Sequence, residues 1–289
     1  MRQIVSLMSG LAFVATSAAA EETDVVIYSD EQPFVGTLNV PGAAEAAPVV
    51  LLLHGFGSGR NELASDAVPE GVYARTAARL AEAGYASLRV AFRGSGESTA
   101  DLSFADTTFE SQIADAGAAV AYLQTLSSVD ASELYVIGWS QGGLVASALA
   151  GRSGAVDGVA LWNAVGDPQA TYGALFGADS VVAAIDASPD DLLTMTTPWG
   201  AEFLLKGAFF DDVSAFDPIA EIASYDGPLF VASGASDTLV HPSVAEAFLG
   251  SHNGAQEAWH AEMDHVFNIF ATDETLEQLI DATVAFFDD

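Results

Sequence analysis

The chain has 289 residues, of which 51% are hydrophobic, with no cysteine and with 40 acidic residues against 8 basic ones, a formal net charge of −32. That length and apolar content suit one large domain with a sizeable core. The absent cysteine excludes disulfides, thiolate metal sites and a cysteine nucleophile, and the charge makes nucleic acid and anionic membranes poor partners.

Strong acidity can mean disorder, but the clear apolar runs indicate a folded domain with an acidic shell. Its self-repulsion is screened at high ionic strength, so a marine or salt-tolerant source is expected. Residues 1–20 read as a secretory signal: Arg2 supplies the positive end, residues 4–15 the apolar run, and Ala18-Ala19-Ala20 a small-residue cleavage site before Glu21. The run is short and broken by Ser6, Ser9 and Gly10, which disfavours a membrane anchor, and no later stretch is long and apolar enough to span a bilayer. The expectation is a signal over 1–20, a single exported domain over 21–289, periplasmic or extracellular, and no membrane span.

Residues 24–30 and 34–40 predict two strands around a turn at Glu31-Gln32-Pro33. Residues 48–54 carry the continuous run Val49-Val50-Leu51-Leu52-Leu53, the pattern of a strand buried on both faces. A helix is expected over 71–83, with Gly84 as its stop, then a strand over 87–92 and a tight loop at Arg93-Gly94-Ser95-Gly96. A long helix follows over 107–126, with Thr107 and Glu110 as a capping box. The segment 134–138 reads as a buried strand that breaks at Gly138 and leads into a helix over 144–150. Beyond it come a strand over 156–162, an irregular stretch over about 163–226 with short helical pieces, a strand over 229–233, a helix over 242–249, a short strand over 255–261 and a closing amphipathic helix over 273–287. Strands alternating with helices imply an α/β fold with a mostly parallel sheet covered on both faces, whose function sits beyond the carboxyl ends of the strands.

Ser140 stands at the break, inside Gly138-Trp139-Ser140-Gln141-Gly142. A serine on a sharp strand-to-helix turn tolerates only small residues two places before and two after, and the turn lifts its hydroxyl above the sheet. A serine hydroxyl is a weak nucleophile that needs a histidine base, itself oriented by a carboxylate. Of the five histidines, His265 lies in a loop after the last strand. His54 reads as structural, His241 and His252 as solvated flanks of a helix, and His260 as part of a strand. Asp237 directly follows a buried strand and is the expected carboxylate, with Asp264 and Asp167 as the other candidates. Acyl transfer also needs donors for an oxyanion: the Gln141 amide, at a helix N-terminus, and the Phe56 amide, in His54-Gly55-Phe56-Gly57.

The motifs His54-Gly55-Phe56-Gly57, Arg93-Gly94-Ser95-Gly96-Glu97-Ser98, Gly138-Trp139-Ser140-Gln141-Gly142-Gly143, Gly234-Ala235-Ser236-Asp237 and Asp264-His265 together resemble an α/β-hydrolase from about residue 24 to the end. Within that superfamily, Asp217-Pro218-Ile219 ahead of Gly227-Pro228-Leu229 and a short cap are similar to cinnamoyl (feruloyl) esterase-like and serine aminopeptidase-like hydrolases. Trp139 departs from that group, where a small polar residue or histidine is more usual. The resemblance implies the chain order Ser140, Asp237, His265 for the triad and a small cap over about 163–226, inserted after the sixth strand. That cap is rich in aromatics. Most are expected to pack it down, with Trp139, Trp162 and Trp199 as candidates for substrate contact. The expected function is a secreted serine hydrolase acting on small-molecule carboxylic esters, without metal or organic cofactor. A peptidase or amidase on the same triad, and an inactive binding homologue, are the alternatives. Dehalogenase chemistry would want a carboxylate where Ser140 stands.

Overall fold

A computed structural model of the chain describes residues 18–42 and 46–289. The expected signal segment lies outside the described residues except for its last three positions, which open the first strand.

The first two strands, β1 (Ala18–Ser29) and β2 (Gln32–Gly42), form an antiparallel hairpin. Its turn is Asp30-Glu31, both at positive φ (49° and 64°), which is the two-residue geometry whose twist matches the strands. The turn therefore sits one residue earlier than the sequence suggested, and Pro33 lies within β2. Next come β3 (Ala47–Leu53), α1 (Val72–Glu82), β4 (Ala86–Val90), α2 (Phe109–Leu123), β5 (Val129–Trp139), α3 (Gln141–Arg152) and β6 (Gly158–Trp162). The helix α2 is capped by the side chain of Thr108, reciprocated by Ser111, not by Thr107 and Glu110. Thr107 instead closes a short 3-10 turn, Phe104–Asp106.

The stretch after β6 is more regular than expected. It holds α4 (Pro168–Phe176), α5 (Ala178–Ile185), the strands β7 (Leu192–Thr196) and β8 (Glu202–Lys206), α6 (Gly207–Ala215) and α7 (Pro218–Ile222). The strands β7 and β8 pair only with each other, as an antiparallel ribbon separate from the main sheet. The chain ends with β9 (Leu229–Gly234), α8 (Ser243–Ser251), β10 (Gln256–Ala261) and α9 (Glu274–Asp288).

The main sheet has eight strands in the order β1-β2-β4-β3-β5-β6-β9-β10. From β4 to β10 every neighbouring pair is parallel; β2 joins β4, and β1 joins β2, antiparallel. The apolar run of β3 is split between two cores by the strand's period of two. Val49, Leu51 and Leu53 pack in the core that holds α2, α3 and the cap, while Val50 and Leu52 pack in the core of α1 and α9. A continuous run rather than an alternating one is what burial on both faces demands. The carboxyl ends of β3, β5, β6 and β9 consequently open at the same edge of the sheet, and the functional loops leave from there.

Candidate active site

Ser140 is the single residue between β5 and α3. Its backbone lies at φ 54°, ψ −118°, a left-handed conformation that a serine holds only under constraint. The constraint is visible in the hydrogen bonds: the Ser140 N–H donates to the Trp162 carbonyl at 3.0 Å, and the Ser140 carbonyl accepts from Gly143, Leu144 and Val165. The glycines on either side are close-approach positions. A Cβ at Gly142 would lie 1.9 Å from the Leu53 carbonyl oxygen, and one at Gly138 would lie 2.3 Å from that of Gly142. The spacing Gly-x-Ser-x-Gly is therefore a packing requirement of a helix that starts directly against β3.

Ser140, His265 and Asp237 are brought together. The His265 Nε2 lies 2.9 Å from the Ser140 Oγ, and its Nδ1 lies 2.8 Å from Asp237 Oδ2. These contacts fit one tautomer of a neutral imidazole, with the serine donating to Nε2 and Nδ1–H donating to the carboxylate. The other carboxylate oxygen, Oδ1, accepts the N–H groups of Leu239 and Val240 at 2.8 and 2.9 Å, so the buried acid is satisfied on both sides. The Ser140 residue is 5% exposed.

The histidine loop is held by residues that were not singled out for this role. Asn163, at φ 42° just after β6, donates through Nδ2 to the carbonyls of Asp264 and His265, and accepts the Gly234 N–H at 3.0 Å. One amide thus ties the ends of β6 and β9 to the histidine. Asn is among the few side chains that enter the left-handed region readily, which is the only local hint the sequence offered. Asp264 accepts the Val266 and Asn268 N–H groups and shapes the loop rather than facing the imidazole. Asp167 caps α4.

Of the tryptophans expected to contact substrate, Trp139 lies beneath the imidazole. Its indole N–H donates to the His265 carbonyl at 3.0 Å, and the two rings are 5.2 Å apart. Trp162 is fully buried on the opposite face of the sheet from the cap and donates to Thr283 of α9. Trp199 is exposed at the tip of the β7–β8 ribbon. Trp162 meets Ser140 only through its backbone carbonyl, and neither indole lies among the walls of the cavity beside Gly57.

The loop after β3 passes beside Ser140: a Cβ at Gly55 would be 3.5 Å from that of Ser140. Among the described residues, neither the Phe56 nor the Gln141 N–H has a protein acceptor. The Gln141 side chain is locked by Gln112 and by the hydroxyl of Tyr172. The Phe56 ring packs among Phe104, Tyr172, Phe176, Phe203 and Phe209, so the cap rests on this loop. His54 is buried. Its Nδ1–H donates to the Gly55 carbonyl, its Nε2 accepts the Phe92 N–H, and burial pushes its pKa down to about 4, which keeps it neutral. His241 bonds Ser243 at the surface, and His260 pairs with Ser233. His252, expected to be solvated, is buried against the Gly227 carbonyl.

A cavity of about 630 Å3 opens where the loop after β3 meets the loop after β4 and the ribbon strand β8. Gly57, Ser58, Ser95, Thr99, Phe104 and Phe203 are among its walls; Ser140 and His265 are not.

The fold has many solved counterparts. Est1E from Butyrivibrio proteoclasticus, solved with ferulic acid bound, superposes with a TM-score of 0.70 at 21% identity over 91% of this chain and 97% of its own. The esterase domain of a Rhodothermus marinus protein gives 0.66 at 18% over 92% and 97%. The Pyrococcus furiosus esterase PF2001 gives 0.68 at 20% over 93% and 90%. No curated protein matches the sequence. Residues 50–285 match the profile of the alpha/beta hydrolase family, to which the chain therefore belongs.

Proposed function

We propose that this chain is a serine hydrolase of carboxylic esters, working through Ser140, His265 and Asp237 and a covalent acyl-enzyme. The observation that carries this is the unbroken line of contacts from the Ser140 hydroxyl through His265 to Asp237, 2.9 and 2.8 Å long, at the carboxyl edge of the sheet. Ser140 Oγ attacks the ester carbonyl as His265 Nε2 takes its proton. The oxyanion that forms is bound by the Phe56 and Gln141 N–H groups. Collapse breaks the bond to the alcohol, which leaves with the proton from His265. Water, deprotonated by the same imidazole, then attacks the acyl-serine and releases the acid. Asp237 holds the tautomer and stabilises the imidazolium.

The cavity beside Gly57 is the place we assign to the part of the ester remote from the reacting carbonyl. Its walls combine the rings of Phe104 and Phe203 with the side chains of Ser58, Ser95 and Thr99, and their one charged side chain is the Glu202 carboxylate, which disfavours an anionic group and leaves the rings to an apolar or aromatic body. The likeness to structures described as esterases, one of them holding ferulic acid, supports an ester substrate. Export through a signal over 1–20, with a mature chain from Glu21, is part of the same reading; N-terminal sequencing of secreted protein checks it.

Turnover of p-nitrophenyl esters and labelling by a fluorophosphonate probe test the chemistry. Ser140→Ala should lose both, and a variant that kept wild-type turnover would end the reading. Comparison with p-nitroanilides separates esterase from amidase action. Phe203→Ala should raise KM for esters of aromatic or long-chain acids several-fold while leaving acetate nearly unchanged; an equal effect on all substrates would remove the cavity from the binding site.

A further inference from the structure

Behind the oxyanion loop, toward α1, lies a carboxyl group that the proposed mechanism does not use. Glu62 is 8% exposed in a chain that has 40 acidic residues. Its Oε2 accepts the Gly55 N–H at 2.7 Å, and its Oε1 is buried with no hydrogen-bond partner among the described residues. The Glu62 backbone lies at φ 60°, where glutamate is strained. It is held there by its own N–H on the Gly59 carbonyl at 2.9 Å, by the Tyr73 N–H on the Asn61 carbonyl and by the Val72 N–H on the Leu63 carbonyl, both at 3.0 Å. Strain and an incompletely satisfied buried carboxyl are costs, and both are borne to place this group against Gly55.

Gly55 has no slack on its other side. A Cβ there would fall 2.7 Å from the indole ring of Trp139 and 3.5 Å from the Ser140 Cβ. The Gly55 peptide is thus wedged between Glu62 and the nucleophile turn, and the next amide along the chain is that of Phe56.

We propose that Glu62 is a positioning residue for the oxyanion loop, and that its ionisation tunes the hole. The uncharged carboxyl fixes the Gly55 peptide and with it the aim of the Phe56 N–H. The carboxylate places a negative charge behind the point where the oxyanion develops. The inference rests on the serine-hydrolase reading above. Burial pushes the Glu62 carboxyl up to about 7, so both forms are populated near neutrality. The groups that face it offer no counter-charge: the Tyr73 phenol of α1 is held far above its ordinary range by burial and by Glu62 itself, His54 in the oxyanion loop is neutral, and Ser58 and the Leu63 backbone on its own segment are uncharged. No lysine or arginine pairs with it among the described residues.

The test uses the full chain and p-nitrophenyl butyrate across pH 5.5–9 with wild type, Ser140→Ala, Glu62→Ala and Glu62→Gln, each checked for folding by its melting temperature. Glu62→Ala should lose about tenfold or more in kcat with KM within about threefold, because it removes an alignment and not a substrate contact. Glu62→Gln keeps an acceptor for the Gly55 N–H and should recover most of that loss. Wild-type kcat should fall as pH rises through about 7, and Glu62→Gln should abolish that fall. A folded Glu62→Ala enzyme with wild-type kcat, or a Glu62→Gln enzyme with the wild-type alkaline limb, overturns the proposal. Should Glu62→Ala melt below the assay temperature, the Glu62→Gln profile decides alone. An active Ser140→Ala would overturn the serine reading itself, a result that no Glu62 variant can imitate.

Discussion

Asp237 divides its two oxygens between tasks: Oδ2 faces the imidazole, and Oδ1 is consumed by the amides of Leu239 and Val240. An amide at this position would offer one acceptor where two are needed, and it leaves the tautomer unfixed. Asp237→Asn should therefore lower kcat by about 10³–10⁴ with little change in fold, read by ester turnover beside circular dichroism. Asn163→Ala should cost about 1–3 kcal/mol in stability, since it orphans the Gly234 N–H and the His265 carbonyl loses a donor, and should also lower kcat. Two buried titratable groups give opposite pH slopes. His54, lowered to about 4 from 6.5, contributes stability that is full above about 6.5 and is lost as pH falls through about 4. Glu62, raised from 4.5 to about 7, contributes stability that is full below about 4.5 and is lost as pH rises through about 7. Relative to wild type, Glu62→Gln should thus melt higher at pH 8 than at pH 5; thermal melts at the two pH values check the sign.

At the scale of elements, the cap shows what local signals can and cannot carry. Asp167-Pro168 and Asp217-Pro218 each open a helix with a capping aspartate and a proline in the first turn, a pair of signals readable in the sequence. Pro198-Trp199-Gly200, with Gly200 at φ 87°, marks the ribbon turn equally well. The ribbon strands alternate, with Leu193, Met195, Phe203 and Leu205 turned toward the core, but the exposed Leu192 and Leu204 beside them hide the period of two in the sequence. Glycines divide sharply by environment. Gly142→Ala should yield no folded enzyme, because its Cβ collides with the Leu53 carbonyl. Gly117→Ala, inside α2 with open space around its Cβ, should stabilise by about 0.5–1 kcal/mol through helix propensity alone. Melting temperatures of the two variants test the contrast.

Across the whole molecule, every arginine among the described residues and the one lysine, Lys206, contact acids. Arg75 and Arg79 of α1 share Glu277 of α9, with Asp273 and Asp281 alongside, and so clip the chain's last helix to the fold. Such pairs are worth about 0–1 kcal/mol each at the surface. With a net charge of −32, repulsion among the remaining acids should outweigh them. Raising salt from about 0.01 to 1 M, which shortens the screening length from roughly 30 to 3 Å, should therefore raise the melting temperature; a fall would show that the ion pairs dominate.

The sequence by itself determined the two-sided parallel sheet, through apolar runs too long to alternate, and the order in which a serine, an acid and a histidine leave its carboxyl edge. It also determined the small residues at Gly138 and Gly142, because a sharp strand-to-helix turn admits nothing larger. Only the tertiary structure decided which face each strand parity meets. Trp162 follows Ala160 onto the face of α1 and α9, away from the cap, and no local pattern distinguishes that face from the other. It likewise decided that Asn163 holds His265 and that Glu62 stands behind Gly55, because those assignments depend on hydrogen bonds formed only when distant strand ends or a folded-back loop converge.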